Sequence, residues 1–241
     1  MTTKIDARRV YVAWEPRPDG VSEIADQLLR AMSWLRTLPI LDAEWTAPAP
    51  NTGTPMPCGA LGEMKRCLVH GGYPKERASL MEPEYCRQTF HIGPGRSWRA
   101  RIQIVAGLRE AKLDIATPNR LDLLVRSELG AVDLRQILIG LLSVTRPAWG
   151  YAGFEQFPER PDPITPRPTV GFLTYLSSSY GPAPELATPA LVTPIPGFGT
   201  LIQAFDEDPK PRCDPQKAHI RTLKTALEER GHLNSPAGSA A

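Results

Sequence analysis

Apolar residues recur along this chain with two periods. Arg9-Val-Tyr-Val-Ala-Trp14 is rich in β-branched and aromatic side chains and stops at Glu15-Pro-Arg-Pro-Asp-Gly20, the pattern of a strand closed by a turn. From Val21 the apolar positions are Val21, Ile24, Ala25, Leu28, Leu29, Met32 and Leu35, one stripe at helical spacing. Asp19 and Ser22 are candidate caps of that helix, Glu23 and Asp26 suit its N-terminal dipole, Arg30 and Arg36 suit its other end, and Pro39 stops it. Residues 46 to 98 carry interleaved prolines and glycines, and they read as a long, ordered, irregular insertion anchored by residues such as Met64, Leu68 and Phe90. A short helix over Leu61 to Val69 fits within it.

Arg99 to Leu108 alternates well enough for a half-buried strand. Lys112 to Ala116 and Leu121 to Arg126 read as two more, with residues 117 to 120 as a turn, and the short connections predict an antiparallel meander. Val132 to Val144 is apolar on most sides and reads as a mostly buried helix, far shorter than a membrane span. Fourteen of the 26 prolines fall between Pro147 and Pro215, yet Val170 to Leu176, Ala190 to Thr193 and Thr200 to Phe205 still read as short strands joined by proline-fixed turns. A last helix starts at Asp214-Pro215, carries the stripe Ile220, Leu223, Ala226 and Leu227, and ends at Gly231 as its C′ glycine. The expectation is a single α+β domain over residues 1–233, a largely antiparallel sheet packed by three main helices, with the irregular insertion at 46–98 and a frayed tail at 234–241.

Composition narrows the class. The 241 residues are 41% hydrophobic and carry 28 basic against 26 acidic side chains, which excludes a long disordered chain and gives no global basic excess for nucleic acid. The opening nine residues hold four charges with no apolar stretch after them, unlike a signal peptide. Reduced thiols in a cytoplasm are therefore expected for Cys58, Cys67, Cys86 and Cys213, which form no C-x-x-C pair. A Cys58–Cys86 or Cys67–Cys86 bridge is the alternative for an exported protein.

Recognisable catalytic chemistry is sparse. His70, His91, His219 and His232 are scattered without metal-ligand spacing, and there is no G-x-S-x-G elbow, P-loop or G-x-G-x-x-G. No enzyme, metal or cofactor is read from the sequence. Two charge features stand out. Residues 63–112 hold ten basic against five acidic side chains, a possible nucleic-acid surface or a solvated mixed one. Glu155, Glu159 and Asp162 in a proline-rich loop, and Asp206-Glu207-Asp208 after a predicted strand, suit a basic partner such as a nuclease cleft, or serve as solubilising turns.

Three segments in order resemble the bacterial immunity protein 52 family, which protects cells from polymorphic toxins delivered by contact-dependent or type VI secretion. They are Val10-Tyr-Val-Ala-Trp-Glu-Pro-Arg17 with the helix after it; Val170-Gly-Phe-Leu-Thr-Tyr-Leu-Ser177; and the run from the proline-rich strand pair through Gly199-Thr-Leu-Ile202 to Gly231-His-Leu. The second is close to the family's Val-Gly-Trp-Leu-Thr-Tyr-Leu-Ser, with Phe172 replacing the tryptophan. Residues 46–98 carry no family signature. The resemblance implies a cytoplasmic, non-catalytic protein that neutralises a cognate toxin, often one with a restriction-endonuclease-like nuclease domain, by tight stoichiometric binding. Candidate partner-binding residues are Arg17, Phe154, Glu155, Glu159, Tyr180, Asp206, Glu207 and Asp208. The alternatives are a nucleic-acid-binding regulator using residues 63–112, and an enzyme that reverses toxin damage.

Overall fold

A computed structural model describes residues 7–15, 17, 19–47, 56–70, 86–93, 98–106, 119–127, 129–154, 167–187, 189–210 and 212–234. The strands are β1 (Arg8–Trp14), β2 (Thr46–Ala47), β3 (Met56–Pro57), β4 (Cys86–Ile92), β5 (Ala100–Ala106), β6 (Asn119–Val125), β7 (Trp149–Phe154), β8 (Leu173–Ser177), β9 (Leu191–Ile195) and β10 (Gly199–Gln203). The helices are α1 (Val21–Leu35), α2 (Leu61–His70), α3 (Ala131–Thr145) and α4 (Asp214–Glu229). All ten described strands join one antiparallel sheet in the order β3-β2-β4-β5-β6-β1-β7-β8-β10-β9. The expected α+β class and antiparallel pairing are thus observed.

Register explains how the sheet acquires two different faces. Ile104, Leu121 and Val12 stand side by side across β5, β6 and β1, and Phe90, Ile102, Leu123, Val10 and Ala152 form the next row on the same face. Because successive side chains alternate faces, these aliphatic rows share the side against which α3 packs. Helix α3 is apolar nearly all round, burying Leu134, Ile137, Leu138, Leu141 and Leu142, while α1 buries Ile24, Ala25, Leu28, Met32 and Leu35 of its predicted stripe together with Gln27 and Ala31, and leaves Val21 and Leu29 half-buried. One hydrophobic core runs through the aliphatic rows, α1, α2, α3 and the buried residues Ile220, Leu223 and Leu227 of α4.

Several local expectations change. The 46–98 stretch contains β2, β3, α2 and β4, so its described part is woven into the sheet rather than irregular. Backbone pairing supplied what residue patterning there concealed, since β2 and β3 are only two residues long. Asn119 and Arg120 belong to β6 and not to a turn, while the proposed strand at 112–116 lies outside the described residues. Gly20, not Asp19 or Ser22, caps α1, because Asp19 is held by Arg17. Cys213 caps α4, one residue earlier than read, with Pro215 still in the first turn; Gly231 does adopt a left-handed φ of 76°.

Strand β7 has no counterpart among the expected strands, and its Gly150 and Gly153 weaken a strand pattern. Gly150 instead permits close packing. A Cβ there would lie 2.8 Å from the Tyr11 carbonyl oxygen, 3.0 Å from Val12 Cγ1 and 3.4 Å from Leu138 Cδ1. The residue therefore lets α3 settle onto the seam between β1 and β7. Gly150→Ala is expected to destabilise the protein by about 1–3 kcal/mol, the usual range for overpacking. Gly62→Ala, on α2 with nothing within 4 Å of the added Cβ, is the control and should leave stability unchanged or raise it. Urea unfolding midpoints of the two variants test this, and equal losses at both positions would refute it.

Candidate functional site

The acidic segment after β10 is fixed by hydrogen bonds to two helices. Helix α3 begins at Gly130, which has no side chain to cap the free N–H groups of the first turn. Asp133 Oδ2 reaches back to accept from Gly130 N at 3.1 Å, which is half of a capping box. A second acceptor comes from a distant part of the chain: Asp208 Oδ1 accepts from Ala131 N, the first residue of the helix, at 2.7 Å. Gln216 of α4 secures the same segment, donating to the Asp208 carbonyl at 3.1 Å and accepting from Lys210 N at 2.8 Å. Asp208, read from sequence as a partner contact, is thus α3's cap. Asp206 and Glu207 remain exposed on that anchored loop, with Glu207 Oε2 3.8 Å from Lys210 Nζ.

The same end of α3 offers apolar surface. Val132 is 77% exposed, and Ile139 lies seven positions along on the solvent side. A groove of about 250 Å³ runs between the end of α1 and the start of α3, lined by Leu38, Pro39, Ile40, Leu129, Asp133 and Ile137 among others. No sequence argument had joined these residues. Helical spacing marks Val132 and Ile139 as neighbours, but nothing local shows that Asp206 and Glu207 are carried to the same helix end.

The other candidates are placed differently. Phe154 is buried, with the Arg8 guanidinium 3.7 Å from its ring centroid and Arg8 Nε donating to the Leu129 carbonyl. Phe154, Phe172 and Phe205 line one small cavity together with Ile220 of α4. Tyr180 is also buried; its carbonyl meets His232 Nδ1 at 3.3 Å, and burial pushes its phenol pKa well above the usual value. Packing accounts for both rings. Arg17 stays part-exposed, paired with Asp19 and 5.3 Å from the Trp14 ring centroid. Glu155 and Glu159 lie outside the described residues.

Sequence reading also missed a polar and aromatic array on the sheet face opposite α3. Tyr11 stacks on Trp149 and Tyr151, with centroids 5.2 and 5.4 Å away. Arg9 grips Asp122 through two parallel hydrogen bonds, Nε to Oδ1 at 2.8 Å and Nη2 to Oδ2 at 2.5 Å. Burial raises the Tyr11 pKa to about 12, so the phenol stays neutral at physiological pH. Farther along, His91 stands opposite Arg101, and Trp98 lies beneath Arg126 and Arg101 at 3.9 and 5.2 Å. Of the basic 63–112 stretch, Lys65, Arg66, Arg87, Arg99 and Arg101 are described.

Among the described residues no group of three or more His, Cys, Asp or Glu side chains is placed to hold a metal ion. No described helix is long and apolar enough to cross a membrane.

Two predictions follow from these placements. Asp208→Ala removes a helix cap and should cost about 1 kcal/mol, whereas Asp206→Lys and Glu207→Lys should each stay within about 0.5 kcal/mol of the parent in denaturant titrations. Burial and then Arg101 lower the His91 pKa. The unfolded chain therefore binds a proton at higher pH than the fold does, and stability falls as pH drops through the ordinary imidazole value of about 6.5. His91→Gln should flatten unfolding midpoints measured between about pH 7.5 and 5, and an unchanged slope would refute the assignment.

No protein-family model and no curated protein matches this chain. Among solved structures it is similar to Pseudomonas aeruginosa T6SS protein PA0821, with a TM-score of 0.57 and 16% sequence identity, over 96% of this chain and 79% of that one. At that identity, what the two proteins share is the fold.

Proposed function

We propose that this protein is an immunity protein of a type VI secretion system, one that neutralises a cognate antibacterial toxin by direct stoichiometric binding in the cytoplasm. The observation that carries the reading is the fold shared with a T6SS protein across 96% of the chain. It agrees with the three segments that resemble the immunity protein 52 family. In this reading the protein is not an enzyme, and its partner is a toxin domain, with a restriction-endonuclease-like nuclease as the favoured kind.

The docking surface in this reading is the N-terminal end of α3. Val132 and the neighbouring groove supply apolar contact, and Asp206, Glu207 and Asp133 supply a negative rim. A rigid acidic loop steers a basic nuclease cleft and loses little freedom on binding, since Asp208 and Gln216 already hold it. The stack of Arg126 and Arg101 on Trp98 favours a second reading, a nucleic-acid surface.

Co-expression with the toxin domain encoded beside the gene tests the proposal. Host survival together with a stoichiometric complex on a sizing column is expected, and the double change Asp206→Lys with Glu207→Lys should weaken that complex by roughly tenfold or more at unchanged stability. Survival without a complex would point to reversal of damage, and absence of protection would overturn the immunity reading for that pair. Binding to nucleic acid that falls steeply with salt would support the second reading.

A further inference from the structure

Two thiols that sequence spacing leaves unconnected meet beside the sheet's β3 edge. Cys58 directly follows β3, and Cys67 lies on the inner side of α2. Their side chains are buried, with Sγ atoms 3.7 Å apart. Cys58 Sγ also lies 3.3 Å from the Met56 carbonyl, and Gln88 of β4 donates to the Cys67 carbonyl at 2.9 Å. Backbone on both sides is thus held, and the sulfurs need to approach by less than about 2 Å to reach the bond length of a disulfide.

We propose that Cys58 and Cys67 form a reversible disulfide that locks β3 onto α2, with a small-molecule disulfide such as oxidised glutathione as the oxidant. The pairing goes beyond the immunity reading and does not depend on it. The Cys67 thiolate attacks one sulfur of the oxidant, forms a mixed disulfide and expels one thiolate. Cys58 then attacks the Cys67 sulfur and expels the second. Both protein thiols are oxidised, one disulfide is reduced to two thiols, and the two protons end on the released sulfurs. A hydrogen bond from Cys58 lowers the Cys67 pKa against burial and the nearby Glu63 charge, with a smaller contribution from Arg66, while the Cys58 pKa is raised by that same contact and by burial. The attacking thiol is therefore Cys67.

Access is through the short connection over the pair. Residues 59–62, which join Cys58 to the first turn of α2, are exposed, and an added Cβ at Gly59 or Gly62 would meet nothing within 4 Å, so local opening of this solvent-facing connection is the route by which the oxidant would reach the sulfurs. The product ties α2 to the end of β3, a strand whose pairing with β2 is only two residues long, and the covalent link compensates for that weak pairing.

The test uses the intact protein incubated with oxidised glutathione, alkylated and digested with trypsin without reduction. Cleavage after Lys65 and Arg66 separates the two cysteines, so the expected product is a disulfide-linked pair of the 37–65 and 67–75 peptides. The urea midpoint should rise on oxidation in the parent and in Cys86→Ala, and should not shift in Cys58→Ala. Full alkylation of Cys58 and Cys67 after oxidation, or linkage of either to Cys86 or Cys213 in place of each other, would overturn the proposal. The peptide map of the parent protein decides the matter even if a variant fails to fold.

Discussion

Everything in this molecule depends on the central strands being buried on both faces. β1 has Val10 and Val12 on the side of α3, and Arg9, Tyr11 and Ala13 on the other, and all of its residues except Arg9 are buried. A one-residue slip would drive Arg9 and Tyr11 under α3 and turn the valines toward the array of Trp149, Tyr151 and Asp122. Each face therefore forbids the wrong register in its own way. On the aliphatic side the penalty is a buried charge; on the other it is the lost pairing of Arg9 with Asp122, which leaves a buried carboxylate without that partner.

That fixed register sets where the helices rest, and the helices set where the surface chemistry stands. Gly150 removes the side chain that would hold α3 off the β1–β7 seam. Once α3 is seated there, its first turn needs hydrogen-bond acceptors, and Asp208 supplies one from a loop more than seventy residues later. The acids at 206 and 207 are therefore carried on a segment fixed to the start of α3. Conformational entropy that a free loop would lose on binding has already been lost on folding.

The legible part of the chain was the part governed by local pattern. The stripe of α1, the apolar surface of α3 and the β-branched run of β1 declared themselves because period and burial coincide there. β7 did not, since Gly150 serves close packing, a role sequence pattern cannot distinguish from a turn. β2 and β3 are too short for any periodicity, and Cys58 and Cys67 meet only because α2 folds back on them. The partner-binding candidates divided along the same line. Charge in a loop correctly marked Asp206 and Glu207 as exposed, but the aromatic residues Phe154 and Tyr180 were consumed by packing, and Asp208 by a helix terminus with no cap of its own.

The ends of the sheet show how such an architecture tolerates open edges. Among the described residues the sheet ends at β3 and β9, and an edge strand offers its backbone groups to any passing strand unless it is blunted. β9 carries Pro194, whose ring nitrogen has no hydrogen to donate, and exposes Leu191 only near its start. β3 ends at Pro57 after two residues, and the cysteine pair then draws the chain inward toward α2. Both edges are thus blunted by proline, one along its length and the other by truncation. Adhesion through a sheet edge uses backbone alone and discriminates little, so blunting both edges removes the least selective contact a sheet can offer.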